Sequence, residues 1–259
     1  MVGALIILKW RGVKAFLSLG ALILVIGLSY IFKTDNVKVS GGKYEVPIYS
    51  VNTNEKQVAI SFDVNWAEHD YLEEILDVLD KHNASATFFI MGGWVNYSEE
   101  NLTKLKSIYE RGNEIGNHSY KHPNFSTISE ERMKDEIEKT NEVIKEVTGA
   151  ETKLFRFPSG DYNEKSCKYV RSLNMIPIQW DVDSVDWREE GEEIEFKRVK
   201  DNLKEGSIIL FHNNAKYTAH NLEKLLSYLE EKRYKTANVS ELIYKDNYYI
   251  DEKGTQNRK

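Results

Sequence analysis

A single cysteine, Cys167, in 259 residues excludes an internal disulfide and any multi-cysteine metal site. Its ordinary role is that of a small buried side chain on a helix. No Gly-x-Ser-x-Gly nucleophile turn occurs, which argues against a Ser/His/Asp triad. No internal repeat or low-complexity tract interrupts the chain. Positive charge is scarce over most of its length. The whole chain carries −6, and Lys9, Arg11, Lys14 and Lys33 contribute +4 to an acid-free first 33 residues, so the remainder stands at −10. That balance argues against nucleic acid as a partner. Charged residues at 29% and hydrophobic residues at 41% are ordinary for a folded protein.

The N-terminus is the clearest break in composition. Phe16 to Phe32 is uncharged and overwhelmingly apolar, and with Val13 and Ala15 it approaches the ~20 residues that cross a bilayer. Lys9, Arg11 and Lys14 precede it, which places the N-terminus in the cytoplasm and the rest of the chain outside. A cleaved signal peptide is the competing reading, although Ser-Tyr-Ile-Phe-Lys is a poor cleavage site. Residues 1–33 are thus expected to be a signal-anchor and 34–56 a linker with a leading strand. Residues 57–245 form the globular domain, and 246–259 a polar tail that frays.

Within 57–245 short apolar runs alternate with amphipathic segments. The expected strands are 57–62, 85–90, 113–117, 153–157, 175–181, 206–211 and 234–237. Between them Leu72, Ile75, Leu76 and Leu79 share one helical face, and Leu222, Leu225, Leu226 and Leu229 share another. Ser98 and Ser129 stand at helix starts. The alternation predicts an α/β fold with a parallel sheet, closed or nearly closed into one barrel. In such barrels functional side chains gather at the C-terminal strand ends.

Those ends carry the chemistry. Asp63 follows the first run, and His118-Ser-Tyr-Lys-His122-Pro123 follows the third. Arg156 lies just inside the fourth, ahead of Pro158, Ser159, Gly160, Asp161 and Tyr162. Asp181, Asp183, Ser184, Asp186 and Trp187 close the fifth, and His212 the sixth. Two imidazoles with three residues between them can share a divalent ion, or can serve as structural hydrogen-bond partners. An ion with open positions would polarise a carbonyl and acidify water. His212, paired with Asp183 or Asp186, would be a general acid near neutral pH; unpaired, it is a histidine at the edge of the core. Arg156 stays protonated and can hold Asp63 ionised. Pro158 and Gly160 fix a tight loop whose N–H groups can face an oxyanion. Trp187 is either a core tryptophan or the wall of a sugar pocket.

Five ordered segments, SFDVN (61–65), HSYKH (118–122), RFPSG with Asp161-Tyr162 (156–162), DSVDW (183–187) and LFH (210–212), together resemble the polysaccharide deacetylase family. This is the NodB-homology domain of carbohydrate esterase family four. The resemblance spans about residues 57–240. With the N-terminal anchor, it is most similar to the PdaB-type sporulation deacetylases. It implies a distorted (β/α) barrel of about seven parallel strands, a single monomeric catalytic domain behind a transmembrane helix. That domain would lie outside the cytoplasm, in the cell membrane or the forespore or spore envelope. The implied reaction removes N-acetyl groups from amino sugars of peptidoglycan or a chitin-like glycan. By resemblance Asp63 is the base, Arg156 steadies it, and His212 is the acid, partnered by Asp183 or Asp186. Tyr162 supplies the oxyanion N–H, and Trp187 and Leu210 contact substrate. His118 and His122, with Asp63 as a third candidate, would bind a divalent metal, zinc by ligand type.

One position departs from the pattern. The family's first motif reads Thr-Phe-Asp-Asp-Gly-Pro, and its second aspartate is a metal ligand. Here Val64 stands there, followed by Asn65-Trp66. Valine has no donor atom, so metal binding should weaken greatly. Asp63 could turn to the metal, Asn65 or Glu68 could reach in, or the site could be metal-poor. The alternative function is therefore a catalytically weakened member that binds glycan or serves as a spore-envelope structural factor.

Overall fold

The protein is described over residues 45–259 by a computed structural model, and the signal-anchor expectation lies outside the described residues. Among the described residues no helix is long and apolar enough to cross a membrane. The strands are β1 (Ser50–Val51), β2 (Gln57–Val64), β3 (Thr87–Ile90), β4 (Glu114–Asn117), β5 (Leu154–Phe155), β6 (Ile176–Pro177), β7 (Val182–Asp183), β8 (Ile208–His212), β9 (Lys235–Ala237), β10 (Tyr248–Ile250) and β11 (Thr255–Arg258). The helices of the α-type are α1 (Leu72–Lys81), α2 (Gly92–Val95), α3 (Glu99–Glu110), α4 (Glu130–Thr148), α5 (Glu164–Ser172), α6 (Glu192–Asn202), α7 (Thr218–Glu231) and α8 (Val239–Leu242). Each of the seven expected segments holds a strand, and β7 is an addition just beyond the fifth. Ser98 and Ser129 cap α3 and α4 as expected, accepting from Asn101 N at 3.1 Å and Arg132 N at 3.2 Å.

The main sheet runs β6-β5-β4-β3-β2-β8-β7, with β9 also on β2, and its neighbours are parallel. Strands β6 and β7 are consecutive in sequence yet lie at opposite ends of that path. The chain from Pro177 to Val182 spans at most about 18 Å. A flat sheet of that order would hold its edges about 29 Å apart. The sheet must therefore curl, into a barrel that stays open between β6 and β7.

Alternation along β2 decides what the curl encloses. Val58, Ile60, Phe62 and Val64 join Leu72, Leu76, Leu105 and Leu225 in one apolar layer between sheet and helices. The intervening Ala59, Ser61 and Asp63 face the concave side, because successive strand side chains point to opposite faces. Their neighbours in register are Ile208, Leu210 and His212 on β8. The barrel interior is therefore polar at its C-terminal end.

The polar tail does not fray. Strands β10 and β11 form an antiparallel hairpin, and β11 pairs in parallel with β1. Gln256 is fully buried and exchanges two 2.7 Å hydrogen bonds with the Tyr244 backbone. The turn is made by Asp251, whose Oδ1 accepts from Lys253 N and Thr255 N, and by Gly254 at φ +79. Composition alone hid this, since the hairpin is held by amides, a turn and two tyrosines instead of an aliphatic run.

Candidate active site

Asp63 and Arg156 form the buried centre. Asp63 Oδ1 accepts from Arg156 Nη1 at 2.9 Å, and Arg156 Nη2 donates to Ser61 Oγ at 2.9 Å and Gln179 O at 3.2 Å. Arg156 is fully buried, with its guanidinium 3.9 Å from the Phe89 ring centroid. Burial alone would raise the Asp63 pKa, but His118, Arg156 and His212 together hold it below the ordinary carboxylate range. Phe89 can lie under the guanidinium only because Gly116, its partner on β4, has no side chain. A Cβ there would come within 2.5 Å of the ring. Gly116→Ala is accordingly expected to displace Phe89 and cost about 2 kcal/mol of stability, measurable by urea unfolding.

His118 continues the inward face of β4. Its Nδ1 lies 3.0 Å from Arg156 O and its Nε2 3.4 Å from Asp63 Oδ2. Burial pushes its pKa down to about 4, so the ring is neutral at pH 7. The His118 and His122 rings lie 4.9 Å apart. Their loop is bent through Ser119 at φ 64 and His122 at φ 57, conformations that are uncommon outside glycine. Buried Glu136 holds that bend: its Oε2 accepts from Tyr120 N at 2.8 Å and Lys121 N at 2.6 Å.

These residues fit two ligands of a metal site and not a third. Asp63 gives Oδ1 to Arg156 and turns Oδ2 to His118, and no group of three His, Cys, Asp or Glu among the described residues is placed to hold a metal. Val64 is fully buried in the helix-facing apolar layer. Of the two suggested substitutes, Asn65 has its backbone fixed and Glu68 lies elsewhere. The Asn65 backbone is clasped by Asn213, at 3.1 Å from N to Oδ1 and 3.3 Å from O to Nδ2. Glu68 is exposed and lines a separate cavity.

The second pair is His212 with Asp186. His212 Nδ1 lies 2.7 Å from Asp186 Oδ1, and His212 N donates to Asp186 Oδ2 at 2.9 Å. Thr218 Oγ1 donates to the same Oδ2 at 2.6 Å. Burial opposes charge on His212, yet the bond to Asp186 outweighs it and raises the pKa above the usual imidazole value. Asp186, not Asp183, is therefore the partner. Asp183 accepts from Trp180 Nε1 at 3.1 Å and Val185 N at 2.8 Å. Val185 sits at φ 55, a strained conformation for a β-branched residue, immediately before Asp186.

The remaining expected residues surround these pairs. Tyr162 stacks on Phe157, its hydroxyl receives a 3.2 Å hydrogen bond from Tyr49, and its backbone N–H donates to no group among the described residues. Trp187 is 57% exposed, so it is not a core tryptophan. Leu210 is buried beside Ser61 and Asp183 in register. Sequence reasoning missed Ser61, Glu136, Asn213 and Thr218, which orient the others. Ser61 was legible two positions before Asp63 on the same strand face. Asn213 follows His212 directly, and nothing in the sequence singles out Glu136 or Thr218.

Comparison with known proteins agrees with this geometry. The family model for polysaccharide deacetylase matches residues 50–178. The chain is 36% identical to the uncharacterised protein YlxY of Bacillus subtilis over 76% of its own length and 60% of that protein's, so it spans less than two thirds of that relative. It is 30% identical to the peptidoglycan-N-acetylmuramic acid deacetylase PdaA of Bacillus subtilis, over 78% of this chain and 76% of PdaA. Among solved structures BA3943 of Bacillus anthracis, described as a family-four pseudoenzyme, superposes with a TM-score of 0.72 at 33% identity, covering 83% of this chain and 74% of that one. A mutant of BA3943 is described as having restored enzymatic activity. The chain belongs to the polysaccharide deacetylase family, carbohydrate esterase family four, whose members include hydrolases that cleave the amide of N-acetylated amino sugars.

Proposed function

We propose that the protein is a slow N-deacetylase of peptidoglycan or a related N-acetylated glycan. One observation carries this reading. Asp63 and His212 are register partners on adjacent strands, and their surroundings shift them apart, the carboxyl pKa downward and the imidazole pKa upward. An ionised carboxylate facing a protonated imidazole is what amide hydrolysis needs from a base and an acid. Water adds to the acetamide carbon and gives its proton to Asp63. The Tyr162 N–H meets the charge that develops on oxygen. The C–N bond then breaks, His212 protonates the departing amine, and acetate and a free amino sugar leave. Arg156 keeps Asp63 ionised throughout, and exposed Trp187 offers a face to the sugar ring. The lost ligand at Val64 sets the low rate. The PdaB-like resemblance and the apolar run Phe16–Phe32 support a domain outside the cytoplasm, tethered to the membrane. The same resemblance suggests a sporulation role, a monomeric domain and zinc as the metal.

A second reading, glycan binding without turnover, is favoured by Val64 itself and by the pseudoenzyme description of BA3943. Acetate release by the full-length protein from acetylated chitooligomers and from peptidoglycan, measured beside its metal content, separates the two. The deacetylase reading expects slow release. It also expects Asp186→Asn to lower kcat/KM about 100-fold. Asp186 is what raises the His212 pKa, so its loss must shift the alkaline fall in activity to lower pH. Glycan binding with no acetate under any metal would leave the second reading.

A further inference from the structure

Beside the catalytic strand ends lies an open cavity of about 630 Å³ that the reaction does not use. It is bounded by the loop after β2 and by α2 and the start of α3, both at the C-terminal end of the sheet. Trp66 and Tyr97 form one wall, edge to face with centroids 4.9 Å apart. They are 44% and 74% exposed, an apolar pair left open to solvent. Lys104 is neutralised at the base by Asp70 at 3.0 Å and Glu100 at 2.7 Å. Glu68 and Glu74 also line the cavity and carry no ionic partner among the described residues.

The wall is fixed in place. Asn214 Nδ2 donates to Trp66 O at 3.2 Å, Asn213 holds both Asn65 and Asp70, and Tyr71 N donates to Asn213 O at 2.9 Å. Across the cavity Asn101 Nδ2 donates to Trp94 O at 2.7 Å, and Tyr97 N donates to the same carbonyl at 3.2 Å. The Asn213–Asn214 clamp follows His212 directly, so the cavity wall is tied to the strand end that carries the acid.

An aromatic wall suits the C–H face of a pyranose, and an unneutralised carboxylate rim suits a cation. An N-acetylglucosamine residue is neutral, whereas its deacetylated counterpart becomes an ammonium in mildly acidic solution, where the Glu carboxylates stay ionised. We propose that this cavity is a subsite for a glycan residue that already bears a free amine, next to the residue held at Asp63 and His212. The inference rests on the glycan-deacetylase reading and deepens it: the protein would prefer chains that are already partly deacetylated.

The test is titration calorimetry at about pH 6, where the sugar amines are protonated and the Glu carboxylates ionised, using the full-length protein carrying His212→Asn so that the ligand stays unchanged. The probes are a glucosamine pentamer with all amines free and an N-acetylglucosamine pentamer. The free-amine pentamer should bind at least 10-fold more tightly. Trp66→Ala should remove most of that affinity, with Tyr97→Ala as an independent check on the same wall. Glu68→Gln should cut the preference between the two probes and its sensitivity to salt. Equal binding of both pentamers, or a preference unmoved by Trp66→Ala and Tyr97→Ala, would overturn the subsite. Acetate release by the unmodified protein is scored separately. Release without the preference removes only the subsite, and the preference without release removes only the deacetylase reading.

Discussion

Arg156→Met is expected to lower the unfolding free energy by about 3–5 kcal/mol and to abolish acetate release. The size follows from what is left behind. Arg156 is fully buried, and its removal strands Asp63, nearly as buried, without its 2.9 Å partner. Ser61 Oγ and Gln179 O lose a donor at the same time. Burial is the largest influence on the Asp63 carboxyl and pushes its pKa up, so without Arg156 the group moves toward the protonated form and ceases to be a base. The sign of the pH dependence is a second check. In the parent, Asp63 is held below its unfolded pKa, so its stabilising contribution is present above the ordinary carboxylate range and lost as pH falls below it. Arg156→Met should weaken that acid-side dependence, with His118 and His212 still lowering the Asp63 pKa. The double variant Asp63→Asn with Arg156→Met should recover part of the stability and none of the activity. A single variant within about 1 kcal/mol of the parent in urea unfolding would show that the pair does not hold the centre together.

The pairing behind that result was legible because both residues lie on short strands whose inward face alternates with apolar residues. Ser61 and Asp63 interrupt the apolar run of β2 at every second position, and Arg156 interrupts Phe155 and Phe157. Such interruptions survive in a linear sequence. Choosing Asp186 over Asp183 did not, because the choice depends on a left-handed turn at Val185 that no local propensity predicts. Glu136 was equally hidden. It reads as one more charged residue on an exposed-looking helix, and only the fold brings its carboxylate under the His118–His122 loop. The tail was misread for the opposite reason. Its stability comes from Gln256 and the Asp251–Gly254 turn, and polarity there meant satisfied hydrogen bonds instead of solvent.

Val64→Asp is the variant that turns the missing ligand into a measurement. Val64 follows Asp63 on β2, so it points to the opposite face, into the layer that holds Phe62, Leu72 and Trp94. A carboxylate there has no partner, and without metal the variant should lose about 3 kcal/mol. Val64 is the last residue of its strand, and rotating that end toward His118 and His122 is the way to relieve the burial. Zinc should drive this rotation, because a ligand that binds only the rotated fold stabilises it by mass action. The expected signature is therefore coupled: a variant less stable than the parent in chelator, raised above it by zinc, and releasing acetate at least 10-fold faster. The parent should respond to zinc far less. If zinc leaves the variant's stability unchanged, the side chain has stayed with Phe62 on the helix-facing side of the strand. The low rate would then arise from the direction of β2 at its end, and not from the identity of the single residue at 64.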